Sequence, residues 1–237
     1  MYKDINVNGE IMDLPSVSQI VGIIDKSSAL MYWSAKLAAE YIKNNKTHFE
    51  DHTHSFDNIC QDAITAYKND TSKEIGTEVH KQIEILIKKG IEYQIEHEFP
   101  IVPEVYNCCT AFLDWIILNK VEVIETEKTL VNFQYGFAGT CDAVAIINGT
   151  KYIIDWKTSK DIYPEYALQL AAYRMTEGNN LNVAILRLDK ETGEYEFKDM
   201  TKHIDKKEKA FLCLLDFYYH EKKRKLKNNK WVKEIWK

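Results

Sequence analysis

Hydrophobic and polar positions follow two different periods along this chain. Over 73–89, Ile75, Val79, Ile83 and Leu86 recur at helical spacing and form one apolar stripe. Comparable patterning predicts further helices near 17–25, 29–44, 56–69 and 104–119. The period then shortens, and 121–132, 135–147 and 151–157 read as strands. A helix near 164–177, a strand near 182–189, a short strand near 194–199 and a long helix near 203–227 complete the pattern. Pro164 suits the first turn of its helix, and Gly178 suits the residue just past the end. Strands interleaved with helices predict an α/β chain, with a central mixed β-sheet flanked by helices and a helical amino-terminal segment. No internal repeat or low-complexity linker marks a boundary. Residues 1–237 are therefore expected as one domain. Within it, 1–70 form the helical segment, 71–200 the core, and 201–237 a basic carboxyl-terminal helix and tail.

Two of the predicted strands are separated only by Asn148-Gly149, the dipeptide that suits a two-residue type I′ hairpin because both central residues need φ > 0. If those two form the loop, Ile147 pairs with Thr150. The same register sets Asp142 opposite Asp155 on one face, with Cβ atoms about 5 Å apart. Lys157 points to that face too and falls opposite Thr140. Like charges directly opposed are destabilising unless one carboxylate keeps its proton or a cation lies between them. A divalent metal removes the conflict, and two carboxylates with an ammonium suit metal-assisted phosphodiester hydrolysis. A surface salt-bridge cluster is the plain alternative. Val144, Ile146, Ile153, Ile154 and Trp156 make the flanks too apolar for an exposed strand pair.

Three pieces downstream, Gly139-Thr140-Cys141-Asp142, Asp155-Trp156-Lys157-Thr158 and Gln169-Leu170-Ala171-Ala172-Tyr173, together resemble the PD-(D/E)XK nuclease superfamily. The similarity is to its RecB-like branch, which includes phage-type exonucleases. Gly76-Thr77-Glu78-Val79-His80 fits the Gly-x-x-x-His pattern of that branch. The resemblance implies a restriction-endonuclease-like core, with Asp142 and Asp155 as catalytic metal-binding carboxylates and Lys157 as the catalytic lysine. It implies His80 and the carbonyl of Trp156 as further metal ligands, and Gln169 and Tyr173 as the helix motif that touches the nucleic-acid backbone. It covers His80 to Tyr173 well and Pro15 to Tyr41 more weakly. His80 lies one position off the apolar stripe, where a lone histidine is commonly a hydrogen-bonded structural residue. The downstream motif favours the ligand role. Glu125 and Glu127 lie on the strand entering the hairpin; Glu127 is read equally as lining the site or as a rim charge. For Gln169 and Tyr173, four apart on one helical face, packing is a compatible second reading.

Composition refines this picture. With 45% hydrophobic and 28% charged residues, the chain suits a substantial core. It has no apolar stretch of signal-peptide kind and none long enough to span a bilayer, which predicts a cytoplasmic protein; the resemblance implies a bacterial or phage-infected cell. Five irregularly spaced cysteines are expected as reduced thiols, with Cys108-Cys109 facing a helix core. Some RecB-like relatives hold an iron–sulfur cluster through one cysteine before the histidine and three near the carboxyl end. Here Cys60 precedes His80 but Cys213 stands alone beyond Lys157, so no iron–sulfur cluster is expected.

The net charge of −5 is unevenly placed. From Lys202 onward, 12 Lys and Arg face 5 Asp and Glu, a net of +7, so the preceding residues carry −12. Lys222-Lys223-Arg224-Lys225, with Trp231 and Trp236 beyond, suit phosphate contact and base stacking; a solvated helix end with a basic tail is the equal alternative. The expected activity is that of a DNA exonuclease using one or two Mg²⁺ or Mn²⁺ ions. It would act on DNA with a free end in recombination, repair or phage replication. Histidine among the ligands makes manganese a suitable ion. Other readings are an endonuclease of the same fold acting on RNA or branched DNA, and a non-cleaving DNA-binding subunit. No helicase motif is present, so a helicase or single-strand-annealing partner would be a separate chain.

Overall fold

The computed structural model describes residues 1–7, 10–24, 27–44, 57–58, 61, 72–96 and 102–222. Most of the helix expected near 56–69, together with His52, His54, Cys60, His97 and the tail beyond Lys222, lies outside the described residues. The chain divides into two compact units. One is Met1–Ile23 with Gly76–Lys237, and the other is Ile24–Ile75, which contains helix α2 (Ser27–Asn44).

The first unit opens with a feature that periodicity did not predict. Strands β1 (Tyr2–Val7) and β2 (Glu10–Leu14) pair antiparallel, where a helical segment was expected. The strands are short and polar residues interrupt both, so neither presents a clean period of two. Helix α1 (Val17–Val21) follows, closed by a capping box in which the Ser16 hydroxyl accepts from Gln19 N–H and the Gln19 side chain accepts from Ser16 N–H. Helix α3 (Ser72–Glu96) is interrupted at Gly90 (φ 83°). Val79, Ile83 and Leu86 are buried as the stripe predicted, with Ile75 half-buried. Helix α4 (Pro103–Asn119) starts on a proline and stops at Lys120, which adopts the left-handed conformation.

Five strands form the central sheet: β3 (Glu122–Asn132), β4 (Phe137–Ile147), β5 (Thr150–Lys157), β6 (Asn182–Leu188) and β7 (Tyr195–Asp199), in that order. The β5–β6 pair is parallel and the others are antiparallel, so the sheet is mixed as expected. Helix α5 (Tyr166–Glu177) makes the crossover between the two parallel strands. It begins two residues after Pro164, which therefore lies just outside it, while Gly178 caps it as expected. Helix α6 (Ile204–Lys222) packs against α5. Asn148 (φ 50°) and Gly149 (φ 77°) both take the left-handed conformation of the predicted hairpin turn, and Ile147 pairs with Thr150.

The core on one side is aromatic. Trp156 meets Phe112 at 5.3 Å and Trp115 at 6.0 Å between ring centroids, both tilted towards edge-on, and Trp115 stacks on Phe197. Such pairs add about 0.5–1.5 kcal/mol each beyond area burial. Elsewhere Phe137 meets Phe211 of α6 at 5.0 Å. Arg174 is bound within the protein: it pairs with Asp205 and Glu208 of α6, tying the two helices together. Cys108 and Cys109 are buried in α4 as expected, and burial pushes both thiols up to about 12. Among the described residues, no helix is long and apolar enough to cross a membrane.

Candidate metal centre

The hairpin register holds through Ala143↔Ile154 and stops one step short of the two aspartates. The expected Asp142–Asp155 and Thr140–Lys157 rungs do not form. Trp156 N–H donates instead to the side chain of Asp142, through Oδ2 at 2.5 Å. On the other side of β4, the ladder runs Thr126↔Ala143 and Lys128↔Cys141 with no rung between Glu127 and Asp142. Glu127 there has φ 49°, a left-handed conformation inside a strand. The Asp142 carbonyl accepts from the Thr126 hydroxyl at 3.0 Å. The ladder is thus interrupted on both flanks of Asp142, and side chains occupy the gap.

That interruption gathers the charged groups. His80, at the edge of the buried face of α3, sets Nδ1 3.2 Å from Asp142 Oδ1. One ligand atom from each of His80, Glu127 and Asp142 lies within 4.8 Å of the others. Ligands at about 2.1 to 2.5 Å from a single cation span separations of that order. Asp155 is 3% exposed, and its Oδ2 is in ion-pair range of the Lys157 ammonium. No donor is aligned on that oxygen for a hydrogen bond. The ammonium nevertheless lies against it, so the charge of this buried carboxylate is answered within the protein by Lys157. The imidazole of His80 and the carboxylates of Glu127 and Asp142, with the Asp155–Lys157 pair beside them, fit a hard divalent ion.

Electrostatics point the same way. Burial by itself lowers the His80 value, but the charge and hydrogen bond of Asp142 outweigh it and the net shift is upward. Burial raises Asp155, and the neighbouring Asp142 charge raises it further despite Lys157. Glu127 is raised by burial and then by Asp142. Burial lowers Lys157, but Asp155 and Asp142 reverse the direction and hold it above the ordinary lysine value. Burial and mutual repulsion thus work against ionising these carboxylates together, a cost that a cation between them would relieve.

The remaining sequence candidates are less tightly gathered. Trp156 places its ring in the aromatic core and its N–H on Asp142. Gln169 is half-buried on α5. Tyr173, expected to touch a nucleic-acid backbone, is buried at 3% exposure with its ring against Gly139, so its contact is with the protein. Glu125 turns outward to Lys128, which also reaches Glu177. The left-handed φ of Glu127 separates the two glutamates that an even period would place alike. Sequence reasoning left Glu127 undecided and missed Tyr166, whose ring lies 4.9 Å from Lys157 Nζ. An aromatic three residues before Gln169 was the available signal. It also missed Tyr2, whose hydroxyl is 2.5 Å from Thr140 Oγ1, because β1 was not foreseen.

No known family matches the sequence, and no curated protein does. Among solved structures, the chain is similar to two crystal structures of LHK-Exo, an alkaline exonuclease from Laribacter hongkongensis. For the one in complex with dAMP, the identity is 15% and the TM-score 0.41, covering 90% of this chain and 92% of that one. For the other, the identity is 14% and the TM-score 0.41, covering 89% and 91%. At such identities and scores these are likenesses of chain course alone.

Proposed function

We propose that this chain is a metal-dependent deoxyribonuclease, working as an exonuclease on DNA with a free end. The observation that carries the proposal is the interrupted ladder at Asp142, where His80, Glu127 and Asp142 converge beside the buried Asp155–Lys157 pair. His80, Glu127, Asp142, Asp155 and the Trp156 carbonyl would hold one or two Mg²⁺ or Mn²⁺ ions. When bound, such an ion neutralises phosphate charge and lowers the pKa of its water.

The protein's own groups do the rest. Lys157, held against Asp155, donates a hydrogen bond to the attacking water and offsets the negative charge that grows on the phosphate. Asp142 is fixed by the Trp156 N–H, which also fixes the separation of β4 and β5 at the site. His80 is oriented by Asp142 through Nδ1, leaving Nε2 as its second donor atom. Gln169 would meet the DNA backbone, while Tyr173 sets the position of β4 by packing on Gly139. Roles in recombination, repair or phage replication, and a separate helicase or annealing partner, would follow from an activity on DNA ends.

The test is digestion of end-labelled DNA, linear and circular, single- and double-stranded, with Mg²⁺, Mn²⁺ or EDTA. Loss of linear DNA with circles spared, and no loss in EDTA, is the expected result. Cutting of circles would assign an endonuclease of the same fold. Binding with no cutting under any metal would assign a DNA-binding subunit.

A further inference from the structure

An aromatic pair that the metal site does not use joins the loop after β5, which carries Tyr163, to the first residue of α5, Tyr166. Ser159 organises this loop. Its hydroxyl donates to the Asp161 carbonyl at 2.8 Å and accepts from the Tyr166 hydroxyl at 3.0 Å. Tyr166 thereby holds one ring face over the Lys157 ammonium at 4.9 Å. Its neighbour Tyr163 meets it edge-on, with centroids 5.6 Å apart and planes at 76°. Tyr163 is 40% exposed, while Tyr166 is half-buried. The two rings form a step that leads from the ammonium out to solvent, with the Tyr163 ring as its open tread.

We infer that Tyr163 is a stacking platform for a nucleobase of the strand being cut, held in place by Tyr166. This rests on the proposed nuclease reading, which puts the scissile phosphate at Lys157. Two contacts, of 4.9 and 5.6 Å, separate the Lys157 ammonium from the Tyr163 ring. The platform thus stands one aromatic side chain out from the lysine. An aromatic face accepts any base, so the platform would grip the strand without reading its sequence. Tyr166 cannot serve in the same way, because its face is occupied by Lys157 and its hydroxyl by Ser159. It is a positioning residue for both the lysine and the platform.

The experiment compares single-stranded oligonucleotides that are fully based or carry one abasic nucleotide, scanned through the first positions from the labelled end. Affinity is measured with Ca²⁺ in place of Mg²⁺, and cleavage with Mg²⁺. Wild type should bind the abasic strand roughly tenfold more weakly at one position. Tyr163→Ala should lose a similar factor on the fully based strand and show no further loss with the abasic one. Tyr163→Phe keeps the ring and should behave as wild type. Tyr163→Phe should melt as wild type, while Tyr163→Ala loses the edge-on contact with Tyr166 and should melt only a few degrees lower, so a folded protein carries the binding comparison. Equal affinity of wild type and Tyr163→Ala for both strands would overturn the platform. A wild-type protein that neither binds nor cuts any oligonucleotide would overturn the nuclease reading instead, and the platform with it.

Discussion

Gly139 offers the sharpest test of how the fold holds the candidate metal centre. A Cβ built on Gly139 would lie 2.7 Å from Tyr173 Cε1, 2.9 Å from Val17 Cγ2 and 3.3 Å from Val17 Cβ. None of these is the loose end of a flexible side chain. Tyr173 is 3% exposed and Val17 1% exposed, so neither has room to retreat. Overpacking of this kind costs about 1–3 kcal/mol. For a chain of this size each kcal/mol shifts the Tm by roughly 2–4 °C, so Gly139→Ala should melt roughly 2–12 °C lower. Its position three residues before Asp142 means that the strain should also lower metal-dependent cleavage. Two further variants separate the causes. Adding Val17→Ala to Gly139→Ala should recover part of the loss by removing the 2.9 Å contact. Adding Tyr173→Phe should recover nothing, because phenylalanine keeps the clashing Cε1. The assay is circular-dichroism melting of the four proteins, with cleavage of linear DNA measured alongside. A Gly139→Ala protein that melts and cuts as wild type does would refute the close approach of α5 and β4.

Other perturbations bear on separate parts of the molecule. Mn²⁺ at about 100 times its Kd should stabilise the wild type by about 2.7 kcal/mol over EDTA; Asp142→Asn and Glu127→Gln should each lose most of that gain in thermal melts, and an undiminished gain in both would remove them from the site. Lys157→Ala should still gain stability from Mn²⁺ while its turnover at saturating DNA falls by about 10² or more; near-normal turnover would take the lysine out of the chemical step. Asp189 lies below the usual carboxylate range, chiefly because Thr192 N–H donates to it, helped by Arg187 and Glu191 N–H against the opposing effect of burial. Its stabilisation is therefore complete above the ordinary aspartate value near 3.9 and fades as pH falls through the depressed one. Urea melts from pH 2 to 6 should accordingly show a shallower acid loss in Asp189→Asn than in wild type.

Much of the central architecture was legible without coordinates, because its signals are local. Asn148-Gly149 imposes a turn whose φ values few other dipeptides tolerate, so the β4–β5 hairpin and its register follow from two adjacent residues. The α3 stripe, the α5 cap at Gly178 and the buried Cys108-Cys109 are likewise matters of spacing along a single element. The hairpin pattern also nominated Asp142, Asp155 and Lys157, since like charges on one face are hard to explain without a cation, and the family resemblance of Gly76-Thr77-Glu78-Val79-His80 added His80. What escaped the sequence depends on contacts between elements. The ladder breaks at Asp142 because Glu127 turns left-handed and Trp156 N–H finds a carboxylate, and no periodicity encodes that exchange. Tyr173 became a buried wedge because α5 lies close over Gly139, and Arg174 turned to α6 because Asp205 and Glu208 stand opposite. Hydrophobic spacing decides which face of an element is covered. Only the packing of one element on another decides which polar groups are left to meet there, and at this centre that difference separates a strand pair from a site.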